Sequence, residues 1–296
     1  MRTEFRFGFC AVLLLIFAAQ AATAAVTLEQ CGKVIGHEMG LWEFFALNPG
    51  PEQVTRVLKS PLNFIKISLQ QLKDGSWVVY HDDSIYIYDD QNNAINIQFN
   101  QVTWAEIEDY KSRPGYFVPI YRLKDYVDRD PQGKLCWMFS PKESPDVNFV
   151  NDLIELGISD RSVILTYGLS DVINLSAYPE SDHLHFAGRV STDEKALAAY
   201  APYLNRLWAM EIDPTSDTQN MVNLTHQMGI KAYVDSMRYS WNYELFGTAC
   251  KTVFDMGVDY SQSNRPLQCI DEYRLGPPCE WPEERGARQT TPANMR

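Results

Sequence analysis

Two histidines, His37 and His81, each follow a short β-rich run, Val34-Ile35-Gly36 and Trp77-Val78-Val79-Tyr80. Imidazole gives and takes protons near neutral pH, so two of them on one site can serve as general base and general acid. Between them, Phe64-Ile65-Lys66-Ile67-Ser68-Leu69 alternates in a way that puts Lys66 and Ser68 on one strand face. An inward-facing lysine is expensive to desolvate in a covered strand. At a polar mouth it is tolerated, and its ammonium there would neutralise an anion. Unpaired, such a lysine adds little to stability. Carboxylates lie close by in sequence: Glu38 and Asp82 adjoin the histidines, and Glu211, Asp213 and Asp235 close later apolar runs. One of these can orient an imidazole. His183-x-His185 sets two imidazoles on one face of an extended run, but no third ligand accompanies them. His226 reads as an ordinary surface residue, and no Cys/His spacing suggests zinc.

The elements that must position these groups alternate along the chain. Strand-like runs fall at Val34–Gly36, Phe64–Leu69, Leu135–Phe139, Ser162–Thr166, Leu184–Ala187, Arg206–Ile212, Ile230–Val234 and Val258–Ser261. Helical patterns lie between them, among them Glu52–Lys59, Asp146–Leu156, Thr192–Leu204, Asp217–Met228 and Tyr243–Met256. Ser191-Thr192-Asp193-Glu194 is a helix start, and Gly229 and Gly257 stand where helices end. Eight β/α units predict an α/β protein of the (β/α)8 TIM-barrel type, with a doubly wound open sheet as the other arrangement. The top of such a barrel gathers catalytic residues, which is where His37 and His81 would fall. Residues 83–102 are polar and aromatic and are expected on the rim.

Residues 1–24 read as a secretory signal: basic Arg2 and Arg6, an apolar stretch from Phe9 to Ala19 too short to span a bilayer, and the small-residue site Ala22-Thr23-Ala24. Residues 25–275 then form the barrel, and the Pro-rich, polar residues 276–296 a loosely ordered tail. No transmembrane segment is expected once the signal is removed. The whole chain carries a formal charge of −12. So acidic a protein lacks the electrostatic footprint of nucleic-acid binding and does not cling to anionic membrane by charge alone. A small anion is still admissible, because a local cation can override the global sign. A secreted or periplasmic location is oxidising, so one or two disulfides are expected among Cys31, Cys136, Cys250, Cys269 and Cys279. Cys269 and Cys279 are nearest in sequence, while Cys136 reads as a buried thiol.

Val34–His37, the Phe64–Leu69 strand with its Lys73-Asp74-Gly75 turn, and His81-Asp82 together resemble the opening of the glycerophosphodiester phosphodiesterases. In that family the first strand ends in His-Arg-Gly, the second carries Glu-x-Asp before a Lys-Asp-Gly turn, and a His-Asp pair follows. The likeness continues in order through Thr103-Trp104-Ala105-Glu106, Val118-Pro119-Ile120-Tyr121-Arg122-Leu123, Gly257-Val258-Asp259 and Ser263-Asn264-Arg265-Pro266. It implies a TIM barrel of the phospholipase C-like type. It also implies hydrolysis in which His37 and His81 act as acid and base while a divalent cation neutralises phosphate. The family's metal ligands do not carry over. Lys66 and Ser68 stand where the family has Glu and Asp, Met138 and Ser140 where it has Glu and Lys, and Glu38 where it has Arg. Hard divalent cations need oxygen ligands, and this set does not rebuild their site, so no metal or other cofactor is expected.

Two functions follow. In one, the protein is a metal-independent phosphodiesterase acting on a small phosphodiester or lipid headgroup, with His37 and His81 catalytic and Lys66 binding phosphate. In the other, it is an inactive barrel that binds a phosphodiester, a polyol or a protein partner.

Overall fold

Strand β1 (Val34–His37) pairs in parallel with both β12 (Tyr260–Ser263) and β2 (Phe64–Gln71), and that double pairing closes the sheet into a barrel. The structure is a computed structural model that describes residues 25–40, 50–89, 91, 93–191, 193–215, 217–238 and 248–273. Its barrel order is β1, β12, β11 (Lys231–Asp235), β10 (Leu207–Ile212), β9 (His185–Ser191), β8 (Ser162–Leu165), β7 (Cys136–Pro141) and β2. The alternative of an open sheet is thereby set aside. The signal segment, the tail from residue 276 and Cys279 lie outside the described residues.

Helices return the chain between strands, and local chemistry marks where they begin. Asp146 caps α4 (Val147–Glu155) by accepting from the Phe149 N–H at 3.1 Å, and Asp193 caps α6 (Glu194–Ala199) through the Lys195 and Ala196 amides. Thr103 and Glu106 form a reciprocal capping box on α2 (Trp104–Ser112). Gly229, past the end of α7 (Thr218–Gln227), adopts φ +76°, a conformation that suits a residue without Cβ. The run expected as one helix over Thr192–Leu204 is instead α6 followed by a 3-10 turn over Ala201–Arg206, and Pro202 accounts for the break. Of the helix expected over Tyr243–Met256, the described part runs from Thr248 to Asp255.

The alternation of each barrel strand sorts its side chains. Ile65, Ile67, Leu69, Trp137, Phe139, Ile164, Phe186 and Met210 face outward and are sealed under the helices in the principal core. Ile35, Phe64, Cys136, Met138, Val163, Ala187, Ala209 and Tyr233 face inward and fill the lower barrel. The N-terminal residues Val26, Leu28 and Cys31 close its floor.

Cys31 is bonded to Cys136, with Cα atoms 5.9 Å apart, so Cys136 is not the free thiol expected. Its inward orientation at the start of β7 brings it to the turn that delivers Cys31. Cys250 is bonded to Cys269, so Cys269 does not pair with its nearest neighbour in sequence, Cys279. That bridge staples two neighbouring helices, Thr248–Asp255 and Pro266–Tyr273.

Residues 83–102, for which the sequence specified no strands, are largely ordered as an antiparallel hairpin of β4 (Ser84–Tyr88) and β5 (Ala94–Gln98). Ile85, Ile87 and Ile97 point down into a third apolar cluster with Phe99, Ile107 and Ile120. β3 (Trp77–Val79) and β6 (Tyr121–Arg122) extend the sheet antiparallel from the upper half of β2. This added flap carries His81 to the barrel mouth.

Candidate active site

Above the apolar floor, the inward positions turn polar. A cavity of about 230 Å³ opens there, and its wall includes His37, Lys66 and His81 together. The shared pocket expected from sequence is therefore present. It also includes Ser140, Lys142, Tyr167, Arg189, Glu211, Asp235 and Gln262.

His37 ends β1 and lies in register with Lys66 of β2. Its Nδ1 is 2.8 Å from Asn264 Oδ1. With that carbonyl accepting, Nδ1 carries the proton and Nε2 is the basic nitrogen. The side chain is only 14% exposed. Burial first, and then the Lys66 charge, push its pKa down to about 4, against the opposing effects of Glu38 and Asn264. His37 is thus neutral at physiological pH, the state a proton acceptor needs.

His81 follows β3 and is held by its backbone: its carbonyl accepts from Gln70 Nε2 at 3.2 Å. Its side chain is half exposed, and Nδ1 lies 2.8 Å from Asp82 Oδ1. The Asp82 carboxylate orients this ring and leaves Nε2 for a ligand. The two imidazoles therefore sit in unlike environments, one enclosed beside an amide and one at the rim beside a carboxylate.

Lys66 is buried, and it is not unpaired as expected. Its ammonium donates to Glu38 Oε1 at 2.9 Å and to Ser68 Oγ at 3.0 Å. Ser68 in turn donates to Glu38 through its hydroxyl at 2.7 Å and its N–H at 3.3 Å. Burial alone would raise the Glu38 carboxyl. The Lys66 charge, the His37 charge that appears only as the pH falls through about 4, and these hydrogen bonds outweigh it and hold the pKa at about 2. Glu38 reaches this position from a left-handed turn, with φ +42° at Glu38, +60° at Met39 and +83° at Gly40. Two consecutive non-glycine residues in that region are strained, and such strain gathers at functional sites.

Four inward positions of β2 and β7 offer no carboxylate to a hard divalent cation. Lys66 lies beside Met138 in the β2–β7 register and Ser68 beside Ser140, so an ammonium and a thioether stand where carboxylates would have to be. Among the described residues no group of three or more His, Cys, Asp or Glu side chains is arranged to hold a metal ion. His226 pairs with Asp259 at 2.8 Å outside the cavity, and His183 and His185 do not line it.

Two residues of this site, Asn264 and Lys142, carry no functional reading in the sequence, and a third, Glu38, carries only that of a carboxylate able to orient an imidazole. Asn264 lies within the closing Ser-Asn-Arg-Pro motif, a signal that it stands near the barrel top. Glu38 is visible only as a flanking carboxylate until strand register sets it against Lys66. Lys142 continues the inward alternation of Met138 and Ser140, a pattern open to inspection in the sequence.

A closed ring of eight parallel strands with helices returning between them defines a (β/α)8 TIM barrel. The solved structures it resembles include phosphodiesterases. A phosphodiesterase from Oleispira antarctica, in complex with the product sn-glycerol-3-phosphate, superposes with TM-score 0.61 at 14% identity, over 81% of this chain and 97% of that one. A glycerophosphoryl diester phosphodiesterase from Parabacteroides distasonis gives 0.60 at 16% identity, over 84% and 88%. One from Agrobacterium tumefaciens gives 0.59 at 15%, over 81% and 99%. The chain has the glycerophosphodiester phosphodiesterase fold. No protein-family profile matches it, and no curated protein matches it in sequence.

Proposed function

We propose that the cavity binds a small phosphodiester, such as a glycerophosphodiester or lipid headgroup, and cleaves it by two-histidine acid–base chemistry without a metal. The observation that carries this reading is the pair of unlike imidazoles in one cavity, with His37 kept neutral by its enclosure. His37 Nε2 takes the proton of the attacking hydroxyl, either water or a neighbouring hydroxyl of the substrate. The new O–P bond forms as the bond to the leaving alkoxide breaks, and His81 returns a proton to that alkoxide. Attack by a neighbouring hydroxyl gives a cyclic phosphate. Lys66 contributes a hydrogen bond rather than a full charge: Glu38 and Ser68 occupy two of its three donors, and the third remains for a ligand oxygen. The two disulfides support a secreted or periplasmic location.

The test is turnover on a panel of glycerophosphodiesters and lipid-headgroup diesters in the presence of EDTA. His37→Asn and His81→Asn should each lower kcat by about 100-fold or more while substrate still binds. Activity that EDTA abolishes and magnesium or calcium restores would overturn the mechanism. The Glu38–Lys66 pair favours a second reading, since an internal carboxylate already occupies the cation a phosphate would seek. In that reading the barrel binds a phosphodiester, a polyol or a protein partner without chemistry, and wild type shows binding but no turnover on the whole panel.

A further inference from the structure

Three cationic side chains among the described residues line the cavity, and they differ in what already holds them. Lys66 is bound by Glu38 and Ser68. Arg189 faces acids, 3.5 Å from Asp213 and 4.0 Å from Glu211. Lys142 has no carboxylate within 4.0 Å of its ammonium among the described residues. Its neighbour Glu143 is turned away and accepts from the Gln71 N–H at 3.0 Å.

The backbone fixes where Lys142 stands. Its N–H bonds the Leu69 carbonyl at 2.9 Å, which carries the β2–β7 ladder one step beyond Pro141. Residues 138, 140 and 142 therefore share the inward face, with Lys142 above Ser140. Ser140 Oγ lies 3.0 Å from Tyr167 OH on the same wall. Two hydroxyls sharing one hydrogen bond leave one O–H free to donate. In the order of the ring, β11 with Asp235 lies half-way around from β7, and β10 with Glu211 half-way around from β2. The acids thus take the far wall, and the β7–β8 wall is the one that suits an anion.

We propose that Lys142, with the Ser140–Tyr167 hydroxyl pair beneath it, is the seat of the anionic group in this cavity. The assignment rests on the phosphodiester reading of the site and names the residue that supplies its positive charge. The seat takes a phosphate monoester or diester oxygen, and Lys66 contacts the same group from below.

Calorimetry with inorganic phosphate and with glycerol 3-phosphate tests this at low ionic strength. A charge-assisted hydrogen bond at such a site corresponds to an affinity change of about 10- to 100-fold. Lys142→Met is expected to weaken both ligands by that factor and to leave the thermal unfolding midpoint unchanged. Lys142→Arg should recover most of the loss. Tyr167→Phe, which removes one hydroxyl of the pair, should weaken binding by a smaller factor. Wild-type binding with equal affinity in Lys142→Met overturns the assignment and leaves the phosphate site intact. The same holds if Arg189→Met abolishes binding while Lys142→Met does not. Absence of phosphate binding by wild type at millimolar concentration overturns the site reading itself, and this assignment with it.

Discussion

Replacing Lys66 by Met strands a buried carboxylate. Glu38 is 7% exposed, and its charge is stabilised by one ammonium and one serine. Its pKa of about 2, against an ordinary 4.5, corresponds to about 3 kcal/mol of stabilisation. That agrees with the ~3–5 kcal/mol lost when one partner of a buried pair is removed. The sign with pH follows from the two states. In wild type the depressed carboxyl contributes fully above 4.5, and the contribution fades as pH falls from 4.5 toward 2. In Lys66→Met the ammonium is gone and burial raises the same carboxyl above its ordinary value. The variant therefore regains stability on acidification as Glu38 protonates. Both trends act in one direction, so the deficit relative to wild type is largest at neutral pH and shrinks toward pH 4. Urea unfolding of both proteins between pH 4 and 8 measures it. Adding Glu38→Gln to the lysine change should restore much of the loss at pH 7, because no charge is then left buried. A Lys66→Met protein as stable as wild type at pH 7 refutes the reasoning, and so does a deficit that grows as pH falls.

The remaining predictions concern protonation and covalent structure. Since His37 must be neutral to accept a proton and its pKa is pushed down to about 4, the acidic limb of kcat/KM should fall near pH 4 rather than near 6.5. A limb at 6.5 in the pH profile would show that His37 is not the base. Cys31–Cys136 closes a sequence separation of 105 and Cys250–Cys269 one of 19. Chain entropy then predicts that opening the first by Cys31→Ser and Cys136→Ser destabilises by about 4–5 kcal/mol, against about 3 kcal/mol for the second. Denaturant midpoints of the two paired variants compare them, and an equal loss would mean that the floor of the barrel is held by packing instead.

Most of the barrel is legible in the sequence because its signals are local. Eight apolar runs, capping residues such as Asp146 and Asp193, and glycine at position 229 each specify their element without help from afar. What escapes is decided by register and closure. Val258–Ser261 reads as the last strand, yet the ladder sets it at Tyr260–Ser263, because pairing with β1 and β11 chooses the hydrogen-bonding residues. The Asp83–Val102 hairpin is masked by aspartates and asparagines, although Ile85 and Ile87 alternate with Tyr86 and Tyr88 as a half-buried strand requires. Disulfide partners cannot be read from spacing at all. Cys31 meets Cys136 only after the barrel has brought its floor together.

The same distinction governs the site. Read along the chain, Glu38 and Lys66 are two separate departures from the motifs of glycerophosphodiester phosphodiesterases, each removing a needed charge. The β1–β2 register makes them one. His37 and Lys66 are level, and the left-handed turn at Glu38 folds its carboxylate back onto the Lys66 ammonium. A position with Arg in the motif carries Glu, and the position with Glu carries Lys, so the polarity is reversed and the pair itself is complete. Such a pair resists piecemeal reversion. Lys66→Glu with Ser68→Asp would set three carboxylates in a buried space stabilised at present by one ammonium, and the protein should lose stability before it regains a metal site. With that pair closed, the wall next to it becomes decisive. Lys142, just past the end of β7, is the cavity cation without a carboxylate partner among the described residues, so in the proposed reading the charge of a bound ligand is answered chiefly there.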